Sequence, residues 1–200
     1  MEKETEIISN NYEFVFPKPE QSNFIQGAVD LVNHFYKSKL LLPADLKHYE
    51  MLAGKKNLIV AINNDGKLIG SSAYTQFFEK DIWEFGGWTV DEEYQHKGIG
   101  TKIIKKLFEE QPHIKTIAFG NKNSGPIFEY LNAEIITDHS LLPKQAFNLC
   151  NGCPNKPTIG CCDTIYNLAP IVHNVMIEKM NYDEKQLKSL LIYQKDLKNW

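Results

Sequence analysis

The sequence predicts an α/β domain of the α+β kind, with a mixed, mostly antiparallel sheet flanked by helices. Three observations carry that reading. Three strand-like segments follow one another in hairpin succession between Asn57 and Val90. A strand–helix–strand unit from Trp83 to Phe119 then adds a crossover, which makes one parallel pair. Apolar residues recur at helical spacing in two long stretches, before and after those strands.

The elements follow in order. Tyr12 to Phe16 (YEFVF) is a short strand closed by Pro17 and Pro19. From about residue 21 to 37, Phe24, Ile25, Ala28, Val32, Phe35 and Tyr36 share one helical face. Pro43 suits the first turn of a second helix that runs through Met51 and Leu52 and stops at Gly54. Asn57 to Ile62 (NLIVAI) is an apolar strand, and Asn63-Asn64-Asp65-Gly66 turns the chain into Leu68 to Phe77. A third strand begins near Trp83. Beyond a glycine-bearing loop, Ile99, Ile103, Ile104, Leu107 and Phe108 mark a helix that Pro112 ends. Ile114 to Phe119 is the next strand, 121–131 a turn feeding a helix, and Ala133 to Thr137 another strand. Residues 140–163 read as loop, Thr164 to Val175 as a last strand interrupted at Pro170, and 183–200 as an amphipathic helix.

Composition limits the classes of function. Two hundred residues, 42% hydrophobic, can bury a full core. A formal charge of −3 with no cluster of basic residues gives no reason to expect a nucleic-acid partner. No apolar run approaches the roughly 20 residues of a membrane span. The charged start, MEKETEIISN, lacks the apolar region of a secretory signal, so the expectation is a cytoplasmic protein with reduced thiols.

The chemistry is concentrated between Trp83 and Thr101, WEFGGWTVDEEYQHKGIGT. Gly98 and Gly100 remove two Cβ atoms that would keep a ligand from the backbone. The helix that starts there directs unpaired N–H groups and the positive end of its dipole into the loop, which makes an anion site suited to a diphosphate.

The order Gln95-x-x-Gly98-x-Gly100-Thr101, entered from Trp88-Thr89-Val90, resembles the acyl-CoA pyrophosphate loop of the GNAT acyltransferases. Two further features fit the same family. Glu84 stands eleven residues before Gln95, at an offset where many GNAT enzymes carry a glutamate base, and Asn121-x-x-Ser124 resembles the family's N-x-x-[AS] segment. The resemblance covers about residues 12–136 and implies a mixed sheet with helices on both faces. It implies acetyl-CoA as cosubstrate, with the pyrophosphate on Gln95, His96, Lys97, Gly98, Ile99, Gly100 and Thr101. Trp88, Thr89 and Val90 would pair with the pantetheine arm, and Asn121, Ser124 and Phe128 would flank it. Glu84, between Trp83 and Phe85, would take the proton from an amine acceptor; the plain alternative is an exposed glutamate at a strand start. One departure is clear. The family usually has a tyrosine where this chain has Phe128, and a phenyl ring cannot protonate a leaving thiolate. Tyr130 lies about 200° around the helix from it.

The four cysteines fall within thirteen residues, Cys150, Cys153, Cys161 and Cys162. Such a cluster could hold a structural zinc ion, with His139 or His173 as a further ligand; a redox pair or simple packing are the alternatives. The expected organisation is an acyl-CoA-binding core over 1–140, a Cys-rich insert and last strand over 141–182 completing the same domain, and a helix over 183–200. The expected function is direct acetyl transfer from acetyl-CoA to a small-molecule or peptide primary amine, by a monomer or homodimer. The alternative is an acyl-CoA-binding regulatory or adaptor module without turnover, using the Cys-rich loop as its partner surface.

Overall fold

The computed structural model describes residues 12–38, 40–77, 81–138, 140, 142, 144 and 164–180. Among these residues, seven strands form one sheet: β1 (Tyr12–Val15), β2 (Leu58–Asn63), β3 (Leu68–Phe77), β4 (Ile82–Val90), β5 (Thr116–Gly120), β6 (Glu134–Ile135) and β7 (Thr164–Asn167). Their spatial order is β1-β2-β3-β4-β5-β7-β6. Every pairing is antiparallel except β4 with β5. The helices are α1 (Ser22–Lys37), α2 (Leu46–Gly54), α3 (Ile99–Glu110), α4 (Gly125–Tyr130) and α5 (Ala169–Met180).

Both faces of the sheet are covered, and β2 explains itself on that basis. Leu58, Val60 and Ile62 pack with Ile25, Val32, Tyr49 and Leu52 of α1 and α2. Ile59 and Ala61 turn to the opposite face, with Ile103, Leu107, Val172 and Val175 of α3 and α5. A strand buried on both sides needs a continuous apolar run rather than alternation.

Two expectations are corrected. Pro43 lies before α2, not in its first turn; the Asp45 side chain caps that helix by accepting a hydrogen bond from the His48 N–H (2.9 Å). Residues 164–175 are not one strand broken at Pro170. β7 ends at Asn167, and Pro170 occupies the first turn of α5, where its missing N–H costs nothing. The expected helix over 183–200 and the four cysteines lie outside the described residues.

Two irregularities in β4 place the site. The parallel pairing with β5 covers only Trp83↔Thr116 and Glu84↔Ile117, so the strands part beyond Glu84. On the other edge the register moves from Ala73↔Gly86 to Ser71↔Thr89. Gly87 and Trp88 therefore bulge opposite Ser72, with Gly87 at φ 56°. The Ser72 hydroxyl donates to the Gly86 carbonyl at 2.9 Å and fixes the bulge.

Candidate active site

A cleft of about 630 Å³ opens where β4 and β5 part. Its walls include Trp88, Thr89, Val90, Gln95, His96, Gly98, Ile99, Gly100, Thr101, Asn121 and Ser124, so eleven residues expected from the sequence meet in one place. Phe35, Leu40 and Leu41 close it from the α1–α2 side, with Tyr94, Pro126, Ile127 and Tyr130 also lining it.

The loop is shaped by its own side chains. The Gln95 amide donates to the Val90 carbonyl at 2.9 Å and ties the loop to the strand it leaves. Gly98 is the N-cap of α3 at φ 74°, a conformation that costs an L side chain about 1–2 kcal/mol. The N–H groups of Ile99, Gly100 and Thr101 occupy the first helical positions and have no acceptor within the helix. No acidic residue stands in that first turn, so nothing offsets the positive end of the dipole. His96 is exposed, at φ 59°. Lys97 is not on the cleft wall; its ammonium donates to the Glu93 carbonyl at 2.9 Å and sits 5.0 Å from the centre of the Tyr94 ring.

Trp88 joins the two halves of the loop motif. Its indole N–H donates to the Gly100 carbonyl at 3.2 Å, and a Cβ at Gly100 would stand 2.9 Å from its ring. Gly100 is thus required for close approach, quite apart from any ligand. Asn121 and Ser124 build the entry to α4: the Asn121 side-chain oxygen Oδ1 accepts from the Asn123 and Ser124 N–H groups. The Asn121 amide also donates to the Leu40 carbonyl at 3.1 Å, linking the two sides of the cleft.

Phe128 faces away from the cleft. It is 2% exposed and packs against Trp88, Phe85 and Tyr166. Tyr130, two residues on, is 82% exposed and lines the cleft. Other aromatic residues nearby serve the core: Tyr74 and Phe77 are buried, and Trp83 stacks on His113.

Glu84 lies at the last β4–β5 pair before the strands part. Alternation turns Phe85 into the α3 core, so Glu84 faces the α1–α2 side, beside its cross-strand partner Thr75. Burial pushes its carboxyl up to about 7, into the range of a base that works at neutral pH. Around it stand groups that motif reading missed. The His48 ring nitrogen lies 3.4 Å from the Thr75 hydroxyl, and burial lowers its pKa despite the opposing charge of Asp45. The Tyr49 hydroxyl abuts Gly87. One signal was available: two adjacent glycines inside a strand mark a bulge or a close approach.

Among the described residues, no group of three or more His, Cys, Asp and Glu side chains could hold a metal ion. His173 lies on α5, with its Nε2 buried. No helix among the described residues is long and apolar enough to cross a membrane.

The cleft thus lies between the parted β4–β5 pair and the glycine loop that starts α3. Residues 27–119, a little under half of the chain, match the family described as the acetyltransferase (GNAT) family. The fold is similar to that of N-acetylglutamate synthase from Neisseria gonorrhoeae, solved with coenzyme A and N-acetyl-glutamate. That likeness has a TM-score of 0.61 at 18% identity, over 78% of this chain and 34% of the synthase. The chain thus spans about a third of that enzyme's length. It is also similar to a GNAT-family acetyltransferase from Staphylococcus aureus Mu50 (TM-score 0.57, 14% identity, 78% of this chain and 96% of that one). A Mycobacterium tuberculosis protein solved in complex with CoA is equally close in fold (TM-score 0.57, 16% identity, 77% and 96%). At these identities the three neighbours establish the fold alone. No curated protein sequence matches the chain significantly.

Proposed function

We propose that the chain moves an acetyl group from acetyl-CoA to a primary amine in one direct transfer, with Glu84 as general base. What supports this is the parting of β4 and β5 just beyond Glu84, a carboxyl raised by burial that stands on the same strand as the cleft-lining Trp88, Thr89 and Val90, though not on the cleft wall itself.

The loop amides from Gln95 to Thr101 hold the pyrophosphate, and the Trp88–Val90 backbone takes the pantetheine amides as an added strand. An alkylammonium arrives protonated. Keeping it neutral at pH 7 costs about 4–5 kcal/mol, and a positioned carboxylate meets that cost by accepting the proton. The freed nitrogen attacks the thioester carbon, and the C–S bond breaks. A second proton, lost from nitrogen as the amide forms, neutralises the departing thiolate. Glu84 returns its own proton to solvent. With Phe128 turned into the core, the thiolate leaves without a tyrosine from that position; its pKa, that of an ordinary thiol, makes it a competent leaving group.

Steady-state CoA release with a panel of amines, comparing wild type with Glu84→Gln, tests the assignment. The expected loss is about a hundredfold or more in kcat with acetyl-CoA affinity kept; equal rates would remove Glu84 from the mechanism. The buried Phe128 is the one feature that favours a binding module without turnover. That reading requires acetyl-CoA to bind and no amine to release CoA.

A further inference from the structure

A second polar group stands near enough to Glu84 to feel its charge, on a helix that sequence motifs leave silent. Tyr49, on α2, is 5% exposed, and its ring packs in the core between α1, α2 and the sheet. Its hydroxyl occupies the place where a side chain at Gly87 would begin, so residue 87 can only be glycine while that hydroxyl is there. Glu84 approaches the preceding residue from its own strand: a Cβ on Gly86 would meet Glu84 Oε1 at 3.3 Å. A phenol oxygen and a carboxylate oxygen thus flank one dipeptide, Gly86–Gly87, at the bulge where β4 leaves β5. The Glu84 charge also acts on the phenol, whose pKa is raised first by burial and then by that charge. The hydroxyl therefore keeps its proton throughout the working pH range and is available as a donor.

We propose that Tyr49 is a positioning residue for Glu84: its hydroxyl donates to the charged carboxylate, holds it against the Gly86–Gly87 bulge and aims it at the acceptor nitrogen. The proposal rests on Glu84 being the base. The bulge makes the geometry possible, because a regular strand would put a side chain, and not a neighbour's hydroxyl, at that point. Among the described residues, the groups around the carboxyl from each packed element are few. α2 supplies Tyr49 and the half-buried His48, β3 the uncharged Thr75, β5 the aliphatic Ile117, and α1 the apolar Val32 beside Gly87. His48 is the one other titratable group in this set, and burial moves it downward, away from Glu84's range.

Tyr49→Phe keeps the ring and removes the donor. The expected result is a fall in kcat of about tenfold, an unchanged KM for acetyl-CoA, and an acid limb of kcat/KM displaced upward by about one pH unit. A role confined to packing would move neither the limb nor the kcat-to-KM split. Replacing Tyr49 by 3-fluorotyrosine keeps its size and strengthens the donor, so the limb should move down; this variant carries the test if Tyr49→Phe fails to fold. His48→Gln should leave the limb in place. Superimposable profiles for wild type and Tyr49→Phe, or a limb that follows His48, would overturn the proposal. Failure of the base reading is separately visible, as a limb that survives in Glu84→Gln.

Discussion

The loop side of the cleft is made of backbone from one continuous stretch, whereas the side around Glu84 is assembled from side chains far apart in sequence. Gln95 to Thr101 supplies the turn, the glycines and the helix start, and its neighbours serve mainly to hold it: the Gln95 amide on Val90, the Trp88 indole on Gly100. The Glu84 side draws on residues 48 and 49 of α2, 75 of β3, and 86 and 87 of β4. A contiguous backbone site is robust to side-chain change except at its glycines. A composite side-chain site depends on each contributor. Substitutions on the two sides should therefore fail differently: on the loop side through binding, and around Glu84 through turnover, pH profile and stability.

The largest binding effect is expected at Gly100. Valine there forces the Trp88 ring away from the first turn of α3, and overpacking of about 1–3 kcal/mol, if it falls on the bound state, corresponds to roughly five- to 150-fold weaker acetyl-CoA binding by calorimetry. Unchanged affinity would break the claim that Trp88 and Gly100 set the cleft wall.

Glu84 provides the contrasting case, a stability effect with a definite sign. Burial pushes its folded carboxyl up to about 7 from an ordinary 4.5, so the folded state binds the extra proton between those values. Stability from this group therefore falls as pH rises from about 4.5 to 7, and the deficit is complete above 7. Glu84→Gln should be more stable than wild type at pH 8, on the order of 2–3 kcal/mol in urea, and nearly equal to it at pH 4. A variant less stable at pH 8 would mean that the carboxylate's partners outweigh the cost of its burial.

Smaller effects refine the loop side. Gly98→Ala meets no atom within 4 Å, so only its φ of 74° is at issue. It should cost about 1–2 kcal/mol in folding, with Gly98→Asn milder, since asparagine tolerates this conformation. Lys97→Ala should weaken acetyl-CoA binding only a few-fold at low salt, and the difference should vanish at about 0.5 M salt, because the ammonium is exposed and sits off the cleft wall.

The same contrast explains what could be read in the sequence. β3 and α3 were legible end to end, because a turn with Asp65-Gly66 and a helix with five apolar residues on one face are local signals. The loop motif was legible for the same reason. Pro43 and Pro170 misled, since proline near a helix start reads identically when it precedes the helix, lies within it, or breaks a strand; Asp45 and the end of β7 decide. The roles of His48, Tyr49 and Thr75 were not legible, because only the packing of α2 on β3 and β4 brings them to Glu84. The Gly87 bulge lay between these cases: the Gly86-Gly87 pair was visible, but its meaning depends on a hydroxyl thirty-eight positions earlier in the chain.

The most direct test of the central claim is the pH dependence of kcat/KM for CoA release, with wild type and Glu84→Gln side by side. Burial of Glu84 predicts that wild-type activity rises with pH through a limb near 7, as the carboxylate forms, and that the slow residual activity of Glu84→Gln lacks that limb. A limb near 7 that persists in Glu84→Gln would contradict the assignment of Glu84 as base.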